Sequence, residues 1–266
     1  MSSIALAGKL ITTLVRDRVY YPGRLVIDTV SFVSRCALLL VLYWYVFEMR
    51  GGEIAGVTFN VVAWGMFFYF ALSTLRMRDM PDAIMDDVRS GTVEVLFTKP
   101  ISYFWYRAWW QIGAGLYPFL VISISGGAVL AYVIGIPATL SSSIFLPTFI
   151  AVCVLCVLLQ ILLYGIVGLL AFWIEDIHPV FWIIDKSTMV LGGSYLPIAL
   201  FPEFLYKIAI FSPLGASQFV THTVYESWST AWPTLIGMQV LWVLVLGGGA
   251  YMLFKKAAQK MSINGG

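Results

Sequence analysis

The residues of this sequence that could do covalent or metal chemistry are few and scattered. The Cys153-x-x-Cys156 pair has the spacing of a metal or redox motif, yet it lies inside the apolar run 150–163 with no histidine or second cysteine pair beside it. Cys36 also lies in an apolar run, and cysteines placed outside polar loops do not indicate a disulfide framework. We therefore expect the cysteines to serve packing.

Catalytic and nucleotide-binding patterns are missing from the sequence. His178 and His222 stand far apart and do not suggest a zinc site. The glycine cluster 247–249 lacks the Lys-Ser/Thr that completes a phosphate-binding loop, and no Ser-His-Asp arrangement or His-Glu-x-x-His motif suggests a protease. The sequence therefore predicts a chain that is not an enzyme, binds no cofactor of its own and does not hydrolyse ATP.

Charged residues are concentrated in one polar stretch, residues 76–99. Asp79 can cap a helix, Pro81 suits a first helical turn and Ser90-Gly91 can end it, which predicts a short helix over residues 80–90. Asp87 lies near the boundary between its two faces. The apolar face holds Met80, Ala83, Ile84 and Val88, and the charged face holds Asp82, Asp86 and Arg89.

The charge of the surrounding loop is balanced, with five basic and five acidic residues between positions 76 and 107. An anchor for anionic lipids would be mostly basic. The balance therefore favours a protein partner for this helix. A solvated loop between two membrane helices is the alternative.

The elements that position this helix follow from composition. Sixty per cent of the 266 residues are apolar, only 11% are charged, and the mean hydropathy is +0.88. Too few charges remain to coat a water-facing surface, and a net charge of +2 gives no field for nucleic acid. The composition indicates an all-α polytopic membrane protein with the lipid bilayer as a partner.

Six apolar runs are long enough to cross the hydrocarbon core, which takes about 20 helical residues. They are 25–47, 57–75, 103–134, 143–173, 179–196 and 234–254. Twelve of the 16 basic residues lie on one side of this arrangement, whereas Arg50 and Lys207 lie on the other. By the positive-inside rule both termini are expected in the cytoplasm. Residues 1–24, which mix apolar and basic side chains before Pro22-Gly23, predict an interfacial helix, with a frayed leader as the alternative.

Two further features concern the spans themselves. Charged residues lie in or beside them at Asp28, Arg35, Asp185 and Lys186. Because such charges usually have partners or functions, we hypothesise that Arg35 pairs with Asp185, with substrate contact by Arg35 as the alternative. The fifth span is interrupted at Gly192, Gly193, Pro197 and Pro202.

Irregular backbone at membrane depth is tolerated only inside protein or beside water. We therefore expect a bend near the outer mouth that helps to gate exit, within a re-entrant outer region over residues 192–233. An ordinary short outer loop is the alternative.

Three stretches resemble the permeases of ABC-2-type transporters. Residues 87–102 (Asp-Val-Arg-Ser-Gly-Thr-Val-Glu-Val-Leu-Phe-Thr-Lys-Pro-Ile-Ser) are similar to the cytoplasmic loop that leads into the family's third span. Residues 192–205 (Gly-Gly-Ser-Tyr-Leu-Pro-Ile-Ala-Leu-Phe-Pro-Glu-Phe-Leu) are similar to its broken fifth span. The tail that ends in Ser-Ile-Asn-Gly-Gly266 is similar to that of bacterial members.

The resemblance implies a single transmembrane domain over residues 1–266, acting as the permease of an ATP-binding cassette exporter in the bacterial inner membrane. A second permease, identical or paralogous, would complete a dimer, and a separate ATPase subunit would hold ATP and Mg²⁺. The loop 76–102 would then carry a coupling helix that docks on the ATPase. The residues implied in that contact are Asp82, Ile84, Asp86, Asp87, Val88, Arg89, Gly91 and Glu94.

Other functional classes stay open. A secondary transporter would need carboxylates near the midplane and often two repeated halves, but only Asp28 and Asp185 are candidates and no repeat is evident. Transport that is sensitive to a protonophore and insensitive to vanadate would support it. A third alternative is a membrane enzyme or a scaffold of an integral assembly. An enzyme would need a cluster of polar catalytic groups at one membrane face. Nothing in the spans selects a substrate among drugs, lipids, polysaccharides and peptides.

Overall fold

The computed structural model describes residues 3–21 and 23–264, most of them in helices. A hairpin of two-residue strands, β1 (Glu53–Ile54) and β2 (Val57–Thr58), joins the second helix to the third and is the exception to the all-α prediction. Pro22 of the predicted chain break and Gly265–Gly266 of the tail lie outside the described residues. The helices are α1 (Ser3–Tyr20), α2 (Gly23–Met49), α3 (Phe59–Ser73), α4 (Met80–Ser90), α5 (Thr92–Phe97), α6 (Tyr103–Ile134), α7 (Phe145–Leu169), α8 (His178–Leu191), α9 (Glu203–Phe211), α10 (Pro213–Ala216) and α11 (Trp228–Asn264).

Among the described residues, four stretches are long and apolar enough to cross a membrane: Leu25–Met49, Tyr103–Ile134, Phe145–Phe172 and Trp228–Lys260. The other two predicted spans are shorter than expected. The run 57–75 yields only the 15 residues of α3 because β2 takes its start, and the run 179–196 yields the 14-residue α8, which ends before Gly192. At about 1.5 Å per residue, neither reaches the roughly 30 Å of the hydrocarbon core.

Helix α3 lies inside the protein. Most of its residues are buried, and its neighbours are α2, α6 and the 3-10 helix Phe219–Val224. Aromatic contacts join it to two of the long helices, since Phe67 meets Phe32 of α2 edge to face and Phe68 lies 4.7 Å from Phe149 of α7 between ring centroids. A short apolar helix of this kind is shielded from lipid by its neighbours.

Helix α7 is the centre of the core. It packs along α11, and Val152, Cys156 and Leu159 on its buried face are fully enclosed. The buried, unpaired Cys156 agrees with the packing role expected for it. Helix α1 packs along α6, where a Cβ on Gly113 would lie 3.1 Å from the Cα of Ile11.

The bundle has two distinct ends. The α4 end carries α4, α5 and the start of α8, and the hairpin end carries β1, β2, residues 198–206 and residues 225–227. After α8 the chain bends at Gly193, which has a left-handed φ of +77°, and then returns into the bundle through α10 and the buried 3-10 helix 219–224. Gln160 of α7 and Gln239 of α11 donate to the carbonyls of Ser217 and Ala216, at 3.4 and 2.9 Å. Side chains of the long helices thus satisfy the backbone of the returning segment.

Candidate functional site

Helix α4 is flanked by two residues whose backbone has the left-handed conformation. Arg76 has a φ of 62° and precedes the 3-10 turn Met77–Asp79, while Gly91 has a φ of 72° and ends the helix. Glycine suits this conformation because it has no Cβ. The helix has the bounds that the sequence predicts. Asp79 differs from its predicted capping role, because its carboxylate makes no cap bond and instead pairs with Arg76 at 2.6 Å.

The apolar face of α4 packs against two glycines of α7. A Cβ on Gly168 would lie 2.7 Å from the Cδ1 of Ile84 and 3.1 Å from the Cα of Pro81. A Cβ on Gly165 would lie 3.3 Å from the terminal methyl of Met80. Both Met80 and Ile84 are 0% exposed. Only residues without a side chain let the two helices approach this closely, so the Gly165-x-x-Gly168 spacing fixes α4 on α7.

Asp87 lies on the inner side of α4 and joins it to α6. The hydroxyl of Tyr103 and the Nε of Arg107 donate to its Oδ2 at 2.7 and 2.6 Å, and a terminal nitrogen of Arg107 pairs with Oδ1. The residue is 5% exposed. This position differs from the prediction, which placed Asp87 among the polar contacts to a partner.

The outer side of α4 and the following α5 face away from the bundle. Of the other residues predicted at the partner contact, Ile84 is buried and Asp82 and Val88 are partly buried. We call the exposed remainder the α4–α5 outer surface. It comprises Asp86, Arg89, Gly91 and Glu94. Arg89 is oriented within it by donating to the backbone carbonyl of Glu175 at 2.5 Å.

A histidine connects α4 to the start of α8. The Nε2 of His178 lies 3.6 Å from Asp82 of α4, and its Nδ1 lies 2.5 Å from Asp176. Partial burial raises the pKa of Asp82, and the nearby His178 opposes that shift. The pKa of Asp176 is lowered by hydrogen bonds from the backbone N–H and the ring of His178. Within the described residues, neither this cluster nor another group of His, Cys, Asp and Glu side chains could hold a metal ion.

The partner of Asp185 is Arg78, which lies in the 3-10 turn before α4. Their side chains meet at 3.0 Å, the hydroxyl of Tyr164 donates to the other carboxylate oxygen at 3.1 Å, and the neighbouring Lys186 lies 3.4 Å away. The predicted Arg35–Asp185 pair is therefore wrong. Arg35 instead follows its own helix, and its Nε donates to the carbonyl of Ser31 at 3.3 Å.

A polar cavity of about 390 Å³ opens between α2, α3 and α8 at the α4 end. Asp28 lies at its rim and pairs with Arg76 at 3.7 Å. A smaller space behind it reaches Asp185, Arg78 and Tyr164. The predicted charges Asp28, Arg35 and Asp185 thus line connected polar spaces, while Lys186 is exposed beside them.

The predicted break after α8 is packed inside the protein. Gly192 and Gly193 are buried, and the hydroxyl of Thr221 donates to the carbonyl of Gly192 at 3.1 Å. Pro197 is buried and Pro202 is exposed, on either side of the 3-10 turn Ile198–Leu200. The irregular backbone expected here is present, held by hydrogen bonds from the returning segment.

Sequence reasoning missed the residues that hold α4 in place. Tyr103 and Arg107, which bind Asp87, sit one helical turn apart on α6, and this spacing was a usable signal. The small-residue spacing of Gly165 and Gly168 inside an apolar run was another. Arg78 gave no signal, because its partner is 107 positions away in the sequence.

A protein-family model described as "ABC-2 family transporter protein" matches residues 34–265. The matched range contains α4, α5, the glycines of α7, Asp185 and the break after α8. No curated protein matches the chain.

Proposed function

Since this chain belongs to the ABC-2 family of transporter proteins, we propose that it is the membrane-spanning permease subunit of an ATP-driven exporter. It is a multi-pass membrane protein, with four helices long and apolar enough to span. The sequence carries no phosphate-binding loop. In this proposal the energy comes from a separate ATPase subunit, which holds ATP and Mg²⁺.

The observation that carries the proposal is the one-sided attachment of α4. Its apolar face packs on α7 through Ile84, and Asp87 ties it to α6. A displacement of α4 by a partner would therefore also move α6 and α7. The α4–α5 outer surface presents both signs of charge, with Asp86 and Glu94 beside Arg89. A surface of mixed charge fits a protein partner better than an anionic lipid surface.

The arrangement of the subunit in the membrane is part of the proposal. The excess of basic residues on one side supports a cytoplasmic location for the α4 end and both termini, and α1 would lie at the membrane interface. A second permease, identical or paralogous, would complete the pathway as a dimer in the bacterial inner membrane. The bend at Gly192–Pro202 would lie at the outer mouth and help to gate exit.

Charge reversal on the α4–α5 outer surface tests the proposal. The tagged chain is expected to co-purify with an ATPase subunit, and the doubly substituted Asp86→Lys/Glu94→Lys chain is expected to lose at least ~10-fold of that association, as charged contacts worth about 1.5–3 kcal/mol would. Glu226→Lys, an exposed carboxylate at the hairpin end, is the matched control and should retain the ATPase. Both variants should elute from size exclusion as the wild type does. Undiminished association and ATP hydrolysis in the double variant would overturn the proposal.

A further inference from the structure

Arg35 is a cation near the middle of α2 whose charge is not balanced by a carboxylate in the described residues. Its Nε donates to Ser31 of the same helix, while a guanidinium has about five N–H donors. The side chain is exposed and lines the 390 Å³ cavity between α2, α3 and α8. A cation at this depth is costly when it has no partner, so we expect Arg35 to bind an anion.

Each carboxylate around the cavity has a base other than Arg35 within 4 Å. The pairs are Asp28 with Arg76 at 3.7 Å, Asp79 with Arg76 at 2.6 Å, Asp82 with His178 at 3.6 Å and Asp185 with Arg78 at 3.0 Å. Within the described part of the chain, Arg35 is the cavity-lining arginine that none of these carboxylates pairs with. An anion from outside this chain would balance the charge of Arg35.

Part of the cavity wall is aromatic. Phe32, Phe70, Phe181 and Trp182 line the same cavity as Arg35. Trp182 is 49% exposed, the ammonium of Lys186 lies 4.8 Å from its ring centroid, and the exposed Ile183 follows it, so an apolar surface with a second cation borders the cavity. A ligand that fills this space would contact the guanidinium of Arg35 and aromatic side chains.

We propose that Arg35 binds the anionic headgroup of an amphiphile, a phosphate or a carboxylate, whose alkyl chain lies against Trp182 and Ile183. The cavity falls within the roughly 300–1,000 Å³ of ligand pockets, and guanidinium groups hold phosphates and carboxylates through paired, charge-assisted hydrogen bonds. The inference rests on the proposed function, because it names the substrate class of that permease. Lysine would keep the charge but lose the paired geometry.

Binding of dodecyl phosphate to the purified full-length chain in dodecyl maltoside tests the inference. Arg35→Gln should raise the dissociation constant at least ~10-fold, because one charge-assisted contact is lost, and Arg35→Lys should raise it less. Arg50→Gln is the matched control, since Arg50 is an exposed arginine just past the end of α2, at the other end of the molecule. Its dissociation constant should equal that of the wild type.

Each part of the binding experiment has an outcome that supports or overturns the anion site. Inorganic phosphate at the same concentration should not displace dodecyl phosphate, and displacement would overturn the amphiphile. Binding of the cationic dodecyltrimethylammonium as tight as that of dodecyl phosphate would overturn the anion site. A dissociation constant of the Arg35→Gln variant within twofold of the wild-type value would also overturn it. Conversion of a dimer to a monomer by Arg35→Gln, with binding retained, would also overturn it by assigning Arg35 to an interface. The measurement contains no ATPase, so its failure is distinguishable from failure of the permease proposal.

Discussion

Asp86 and Asp87 are neighbours in the sequence and opposites in the structure. Asp87 is buried and accepts hydrogen bonds from Tyr103 and Arg107, whereas Asp86 is exposed on the other side of the helix. The helix turns by about 100° per residue, and this rotation is enough to send one carboxylate inward and one outward. Two identical side chains therefore have different roles, one holding α4 in place and one available to a partner.

The difference extends to the two sides of α4 as a whole. The inner side is fixed by close packing on Gly165 and Gly168 and by the ion pair to α6. The outer side borders an open space lined by Ala83, Asp86, Arg89 and Ser90, and this space also reaches the Asp87–Arg107 pair. A substitution on the inner side should therefore reduce stability, while one on the outer side should reduce association with a partner and leave stability unchanged.

The largest effect is expected at Asp87. Asp87→Ala should lower the free energy of unfolding by about 3–5 kcal/mol, because it leaves the largely buried Arg107 without its carboxylate. Asp86→Ala should change it by less than about 0.5 kcal/mol, as exposed substitutions do. Denaturant unfolding of the two purified variants measures the contrast. Similar losses at both positions would show that the two sides of α4 are not distinct.

A smaller loss is expected where the turn before α4 meets α8. Arg78→Gln should cost about 2–3 kcal/mol, because the carboxylate of Asp185, whose side chain is 2% exposed, loses its charged donor. Tyr164 and Lys186 stay near Asp185 and limit the loss. Unfolding of this variant is compared with that of Arg50→Gln, which removes an exposed arginine. A loss no greater than in that control would mean that the pair does not hold the turn.

The contact between α4 and α7 should show a third, smaller effect. Gly168→Ala should cost about 1–2 kcal/mol through crowding of Ile84, even though alanine favours a helix by about 1 kcal/mol over glycine. In α11 a Cβ on Gly237 would meet nothing within 4 Å, so Gly237→Ala should only increase stability through the helix preference of alanine. Thermal unfolding in the same detergent compares the two.

The contact between Gly168 and Ile84 allows a test of whether crowding causes the loss of stability. Ile84→Val shortens the crowding side chain, so the Gly168→Ala/Ile84→Val double variant should lose less stability than the sum of the single losses. Strict additivity of the two losses would locate the effect of Gly168→Ala elsewhere in the core.

The sequence predicts local structure at the α4 end well. The bounds of α4 follow from Pro81 and Gly91, and those of α6 follow from a long, mostly apolar run that Arg107 and Pro118 do not end. The orientation of Asp87 could not be predicted with the same certainty, because helical periodicity places it at the boundary of the two faces. Only the partners on α6 decide which way it points.

Contacts between distant segments lie beyond the sequence pattern. Arg35 and Arg78 were both available to Asp185, and the choice between them depends on where the turn before α4 comes to lie against α8. The lengths of α3 and α8 were overestimated for a related reason. One apolar run begins in the partly exposed strand β2 and the other continues into a buried glycine turn, and hydropathy does not mark where a helix begins or ends.

Site-specific photocrosslinking at Glu94 tests the central claim most directly. A photoreactive amino acid at Glu94, on the α4–α5 outer surface, should form an adduct with an ATPase subunit in intact membranes. The same amino acid at Lys207, exposed on α9 at the hairpin end, should form none. An ATPase adduct from Glu94 alone is the predicted result. An adduct from Lys207, or the absence of one from Glu94 while the ATPase co-purifies with the chain, would contradict the account.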